Sequence, residues 1–269
     1  MADSRQISYD DLDFSVIDRE QVSNNERLFF IVVAASFIES GSDKYTANLV
    51  EFFADDAEVV QWLHAHWLPE EMNHGRMLKR YVNHAWPDFD WDATYARFMA
   101  EYATLCQLDA LESSRGLELA SRCVVEMGTS TYYEAIREIT DEPVLKQLAN
   151  LIRRDEIRHY KFFYRHFRQY NAQEDNGRLS VLMALSRRLL EIRNDDADCA
   201  LWHIFDTLHP GQTREGRAFR QASGAVTGLL QENYPIDRAV KMFLRPLDLP
   251  PRLNAIIQPV ARMTQNLLL

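Results

Sequence analysis

Glu71-Met72-Asn73-His74 and, 85 positions further on, Glu156-Ile157-Arg158-His159 decide how this chain of 269 residues is read. Residues three apart on a helix point to one face, so each pair aims a carboxylate and an imidazole at one point. A single such pair is weak evidence, but here each lies near the middle of a long expected helix. Each is also preceded, one helix earlier, by a glutamate in an apolar setting: Glu39 in Ala-Ala-Ser-Phe-Ile-Glu and Glu126 in Cys-Val-Val-Glu-Met-Gly. A carboxylate buried in such a run needs a partner or a proton. The spacings repeat, with 32 residues from Glu39 to Glu71 and 30 from Glu126 to Glu156. Two antiparallel helix pairs would bring four carboxylates and two histidines together.

Four ionised carboxylates repel one another, and two divalent cations balance their charge. Oxygen ligands with imidazole nitrogen suit iron or manganese better than a thiolate-seeking metal. Ferritin-like di-iron and di-manganese bundles are built from this constellation, so the expected fold is all-α, with a ferritin-like four-helix core. A plain helical bundle would instead carry these glutamates protonated or paired with arginine. For Glu71 alone that reading is the better one; for the six residues together the metal site is.

The rest of the chain agrees with a helical protein. It is 46% hydrophobic with only 9 Gly and 9 Pro, too few for the turns of a β-sandwich. A net charge of −10 argues against non-specific nucleic-acid binding. Cys106, Cys123 and Cys199 are scattered without C-x-x-C spacing and read as reduced core thiols. The first residues lack a signal-peptide pattern, and the longest largely apolar run, Leu28 to Ile38, is too short to span a bilayer. The expected location is therefore the cytoplasm.

Residues 1–22 read as a polar arm over the surface, ahead of one helical domain, 23–269. Its core spans about 24–170, with accessory helices over 174–269. The capping-box spacing Ser23-Asn24-Asn25-Glu26 opens a helix expected to continue through Gly41 to about Ala54. A second helix runs from Asp55 to about Trp86, with a kink at Pro69, which lacks a backbone donor. The stretch from Trp91 to Ile139 should break near Ser113–Gly116. Thr140-Asp141-Glu142-Pro143 opens the next helix. Asn194-Asp195-Asp196 separates two shorter ones, and Ile256, Ile257, Val260 and Met263 mark an amphipathic C-terminal helix.

The chain resembles the soluble acyl-carrier-protein desaturases of the ferritin-like di-iron superfamily over roughly residues 30–170. Trp67-x-x-Glu70-Glu71-x-x-His74-Gly75 is similar to that family's W-x-x-E-E-x-x-H-G segment, and Asp155-Glu156-x-Arg158-His159 to its D-E-x-R-H segment. Thr129 stands three residues after Glu126, where the family has a threonine beside its metals. The resemblance implies Glu39 and Glu126 as terminal ligands, Glu71 and Glu156 as bridging ligands, and His74 and His159 as nitrogen ligands. It implies Asp155 and Trp67 as residues that orient a ligating histidine. Around Glu39, Ile38-Glu39-x-x-x-Asp43-x-Tyr45 is at least as similar to the aldehyde-deformylating oxygenases.

What the resemblance implies chemically is a di-iron oxidoreductase acting with O2 on an aliphatic acyl substrate, foremost a carrier-bound fatty acyl desaturase with two Fe ions, Mn being possible. Electrons would come from an external donor, since no flavin or nicotinamide motif is visible. Aldehyde deformylation, N-oxygenation, and iron binding with ferroxidase activity are the alternatives. Thr129 is a candidate proton relay, or a core threonine bonded back to its helix. Tyr132 and Tyr133 could host a radical, as in ribonucleotide-reductase relatives, although core packing is the plainer reading. His64 and His66 match no ligand spacing relative to Glu71 and read as surface or packing residues. Asp206-x-x-His209 mimics a ligand pair but abuts Pro210 at a helix end and reads as capping. Basic residues around Arg76–Arg80 and Arg153–Arg168 are solvated helix faces or a docking surface for an acidic acyl carrier protein. A homodimer is expected.

Overall fold

The computed structural model describes residues 8–104, 111–191 and 197–253, with Ile257 and Pro259. Helices account for nearly all of it, and no strand occurs among the described residues. In chain order they are α1 (Arg19–Ser23), α2 (Glu26–Ser40), α3 (Ser42–Phe52), α4 (Ala57–Trp62), α5 (Leu68–Ala85), α6 (Trp91–Tyr102), α7 (Arg115–Ile139), α8 (Pro143–Glu174), α9 (Arg178–Glu191), α10 (Ala197–Leu208), α11 (Arg217–Asn233) and α12 (Ile236–Leu244). No helix among the described residues is long and apolar enough to cross a membrane. Cys106, Asn194–Asp196 and most of the amphipathic C-terminal stretch, including Ile256, Val260 and Met263, lie outside the described residues, as does the Tyr45 side chain.

Local chemistry explains the boundaries. Asn25, not Ser23, caps α2, accepting from the Leu28 amide at 3.0 Å; Ser23 closes the short helix before it. The expected continuation through Gly41 does not occur. Glycine is a weak helix former, and the Tyr102 ring and Met99 sulfur of α6 come within 3.4 Å of where a side chain at Gly41 would stand. The chain turns there and restarts as α3. Glu142 caps α8, accepting from the Val144 and Leu145 amides, with Pro143 in the first turn, where its missing N–H costs nothing.

Between α4 and α5 the backbone is continuous but widens into a π-turn, Leu63–Trp67, in which the Leu68 amide reaches back to Leu63. This wider turn lies just before Pro69, which cannot donate to the preceding turn. It carries buried Trp67 inward and leaves His64 and His66 exposed.

The arm differs from its expected role as a polar coat. Leu12, Phe14, Ile17 and Val22 are buried in the core, with Phe14 set against the His84 ring and the Arg80 guanidinium.

Two helix pairs dominate the packing, α7 with α8 and α2 with α5. Buried side chains form two apolar clusters. One joins α2, the ends of α5 and α7, the start of α8, and α6, α10 and α11. The other joins α3, α4, the π-turn, the first half of α7, the second half of α8, α9 and α12. Along α5, α7 and α8 the clusters are separated by one polar layer each: Glu71–His74, Glu126–Thr129 and Asp155–His159. Glu39 closes the same layer from the last turn of α2.

Candidate metal centre

This layer brings together all six ligand candidates, each at most 5% exposed. They form two overlapping groups: Glu39, Glu71, His74 and Glu156 in one, and Glu71, Glu126, Glu156 and His159 in the other. Within each group the potential ligand atoms lie within 4.8 Å of one another. Glu71 and Glu156 belong to both. Their oxygens divide between the two positions: Glu71 Oε2 is 3.5 Å from His74 Nδ1, and Oε1 is 3.0 Å from His159 Nδ1. Glu156 Oε1 lies 3.2 Å from His74 Nδ1 and Oε2 lies 3.8 Å from His159 Nδ1. Glu39 approaches only His74, at 3.8 Å, and Glu126 only His159, at 3.3 Å.

These approaches are not hydrogen bonds. His74 Nδ1, His159 Nδ1, Glu126 Oε2 and Glu156 Oε1 are buried polar atoms with no hydrogen-bond partner, although nitrogen and oxygen lie close together. Buried polar atoms are rarely left so. Lone pairs that converge on shared points, rather than on one another, fit a pair of cations. The donor set of carboxylate oxygens and imidazole nitrogens, with no thiolate, also suits iron or manganese.

The outward-facing atoms are held. His74 Nε2 lies 3.2 Å from Asp155 Oδ2, and His159 Nε2 lies 2.7 Å from Glu70 Oε2. A proton on each Nε2 satisfies these acids and leaves Nδ1 free for a metal, the usual arrangement around a ligating histidine. The support is crosswise, because the acid before each shared glutamate holds the histidine of the other Glu-x-x-His pair. Arg158 ties the two acids together, bonding Asp155 and, at 2.8 Å, Glu70. Glu70 was missed as a functional residue, yet Glu70-Glu71 and Asp155-Glu156 form a repeated acid-glutamate doublet that could have marked it.

Trp67 meets both kinds of ligand candidate: its Nε1 donates to Glu126 Oε1 at 3.2 Å, and its ring stands edge-on to the His159 ring, 6.5 Å between centroids. Tyr133 donates to Glu39 Oε1 at 2.5 Å, while Tyr132 donates to the Ile31 carbonyl. Thr129 bonds back to the Val125 and Glu126 carbonyls and also donates to Glu156 Oε2 at 2.7 Å.

A third group, Glu101, Cys199 and His203, also has ligand-type atoms in reach of one another. Both oxygens of Glu101 are already engaged, by Arg214 at 2.6 Å and His203 at 2.9 Å, which reads as an ionic network. Within the basic clusters Lys79 pairs with Asp92, Arg165 with Glu58 and Arg168 with Asp248, whereas Arg76 bonds Asn73 and Arg80 lies over the Phe14 ring.

Electrostatics divides the ligand candidates. Burial, then the charge of Glu71, pushes Glu39 up to about 8. Burial, then Glu156, holds Glu126 well above the carboxylate range. For Glu71 and Glu156 burial acts in the same direction but is outweighed by the histidines, and both stay low. His74 and His159 are penalised by burial and raised above it by their surrounding acids. A metal-free centre therefore holds protons at neutral pH that cations must displace. Divalent-metal uptake should release protons and weaken as pH falls from about 8, because protonation of Glu39 competes with the ion. Calorimetry in buffers of different ionisation heat reads this directly; uptake with no proton exchange would contradict the assignment.

Comparison of the chain with family models, with curated proteins and with solved structures gives no match.

Proposed function

We propose that this chain is a ferritin-like di-iron oxidoreductase that uses O2 on an aliphatic acyl chain and, by the resemblance of its motifs, desaturates carrier-bound fatty acyl chains. In this reading α2, α5, α7 and α8 are the four-helix core, and α9–α12 are accessory helices. The observation that carries it is the division of the Glu71 and Glu156 oxygens between two positions, each with its own histidine and terminal carboxylate. A mononuclear site has no use for two such bridges.

Glu39, Glu71, His74, Glu126, Glu156 and His159 would hold two iron ions, with manganese as the alternative. Held there, an iron pair would supply the redox chemistry with O2 that attack on an unactivated C–H bond requires. The chain's own residues provide the setting. Trp67 and Tyr133 fix the two terminal carboxylates, and Asp155 and Glu70 fix the imidazoles. The apolar clusters on either side exclude water. Thr129 Oγ1 stands against Glu156, where it can hold and pass a proton.

Access for substrate is supported along α7. Val125, Gly128, Thr129 and Tyr132 form a half-buried strip in an otherwise buried stretch of this helix. Nothing lies within 4 Å of where a Gly128 side chain would begin. An acyl chain laid on this strip would pass Thr129 and so reach Glu156.

The test supplies iron, an external reductant and O2 to the full chain with C12–C18 acyl-carrier substrates, and identifies products by mass spectrometry. Loss of two hydrogens from the chain is expected. No O2-dependent product from any of them would count against the reading. The sequence around Glu39 favours one second reading, aldehyde deformylation, which the same system supplied with C12–C18 aldehydes would reveal as an alkane one carbon shorter together with formate. Gly128→Leu should keep its metal while losing turnover on the longest chains, on the order of 100-fold. Turnover unchanged by that variant would remove the strip as the substrate path. An acidic acyl carrier protein as the presenting partner, a homodimer and a cytoplasmic location remain parts of the proposal.

A further inference from the structure

The two metal positions have unlike surroundings, and the difference comes from the arm. Tyr9, in a short turn closed by the Ser8–Asp11 hydrogen bonds, donates its hydroxyl to Asp155 Oδ2 at 2.7 Å. That same oxygen faces His74 Nε2. The Tyr9 ring stands 6.1 Å from the His74 ring, centroid to centroid. Burial of Leu12, Phe14 and Ile17 anchors the segment that follows, so the tyrosine is delivered by a packed element. Arg158 holds the other Asp155 oxygen. Asp155 is thus pinned at both oxygens and 8% exposed.

His159 is supported differently. Glu70 stands closer to its imidazole, at 2.7 Å against 3.2 Å at His74, and shares Arg158 with Asp155. The Glu70 side chain is, however, one methylene longer and 31% exposed. Among the described residues no tyrosine hydroxyl reaches Glu70. A surface pocket of about 500 Å³ is lined by Tyr9, Glu70, Asp155 and Arg158, on the outer side of both supporting acids.

Resting on the di-metal reading, we infer that Tyr9 is a positioning residue for His74 and makes the two positions unequal, the Glu39–His74 position binding its ion first. The reason is preorganisation. An imidazole whose supporting acid cannot rotate loses less freedom on taking up a metal, and residues that support a ligand in this way typically carry 10–100-fold in affinity.

The experiment is an equilibrium titration of the metal-free full chain with Co2+, read by visible absorption and elemental analysis. The wild-type chain should take up two ions in two resolved steps. Tyr9→Phe keeps the ring and removes only the hydroxyl. It should weaken the tighter step by about tenfold, the lower end of the range for a residue that holds a ligand directly, and leave the other within about threefold. In a His74→Ala background the same substitution should have no further effect. Loss of arm packing alone would lower thermal stability and move both steps together. Equal weakening of both steps, or no change in either, would overturn the inference while leaving the di-metal centre intact. A wild-type chain that binds no cobalt would overturn both.

Discussion

Glu71→Ala is expected to reduce the metal content from about two ions per chain to less than about half an ion. Glu71 offers one oxygen to each position, so its removal takes a ligand from both at once. A terminal carboxylate such as Glu39 belongs to one group only, and its removal should spare the His159 position. The effect should also appear in stability. At metal concentrations 100-fold above Kd each ion adds about 2.7 kcal/mol, so two ions raise Tm on the order of 10–20 °C in a chain of this size. The rise on loading should be present in the wild-type chain and absent in the variant. A Glu71→Ala chain that still binds two ions, counted by elemental analysis, would contradict the bridging role.

A single methyl at Gly75 should be nearly as damaging. A Cβ placed there would meet the Ser40 Oγ at 2.6 Å and the Ser40 Cα and N at 2.8 Å. These last two are backbone atoms and cannot rotate away, so α5 must shift from α2. The shift falls beside both Glu39 and His74, whose distance sets one metal position. Gly75→Ala should therefore cost about 1–3 kcal/mol of stability, several degrees in Tm, and weaken the Glu39–His74 position at least about tenfold. Gly128→Ala is the matching control. Nothing lies near that position, and exchanging glycine for alanine in a helix favours it by up to about 1 kcal/mol. Thermal melts and metal titrations of the two variants should diverge; equal behaviour would show that close packing at Gly75 has no bearing on the centre.

These two glycines show where reading along the chain stops being informative. Gly75 follows His74 in a recognisable segment, but the reason for it, the Ser40 backbone, belongs to another helix. Helical periodicity and the repeated Glu-x-x-His spacing name four residues that converge in space, because 3.6 residues per turn places i and i+3 on one face, and glutamates set in apolar runs one helix earlier name the other two. Pro69 likewise marked where the helix is distorted, since proline lacks a donor wherever it occurs. At Gly41 helical spacing continues into α3 although α2 ends there; the close approach of α6 leaves little room for a side chain at this position, and local spacing does not report that.

The roles of the neighbouring side chains were least accessible. Trp67 packs edge-on against His159, but its hydrogen bond to Glu126 across to α7 is not legible from the segment that contains it. Tyr9 lies 146 positions from Asp155, and nothing in the arm's polar composition points to that contact. Glu70 and Asp155 exchange histidines across the two helix pairs, a pairing that exists only once α5 and α8 are packed together. Helical class and the identity of the ligand candidates follow from residue type and periodicity, which are local properties of the chain. Which acid supports which imidazole, and which oxygen faces which position, depends on contacts between distant segments, and those are set only when the apolar clusters close around the polar layer.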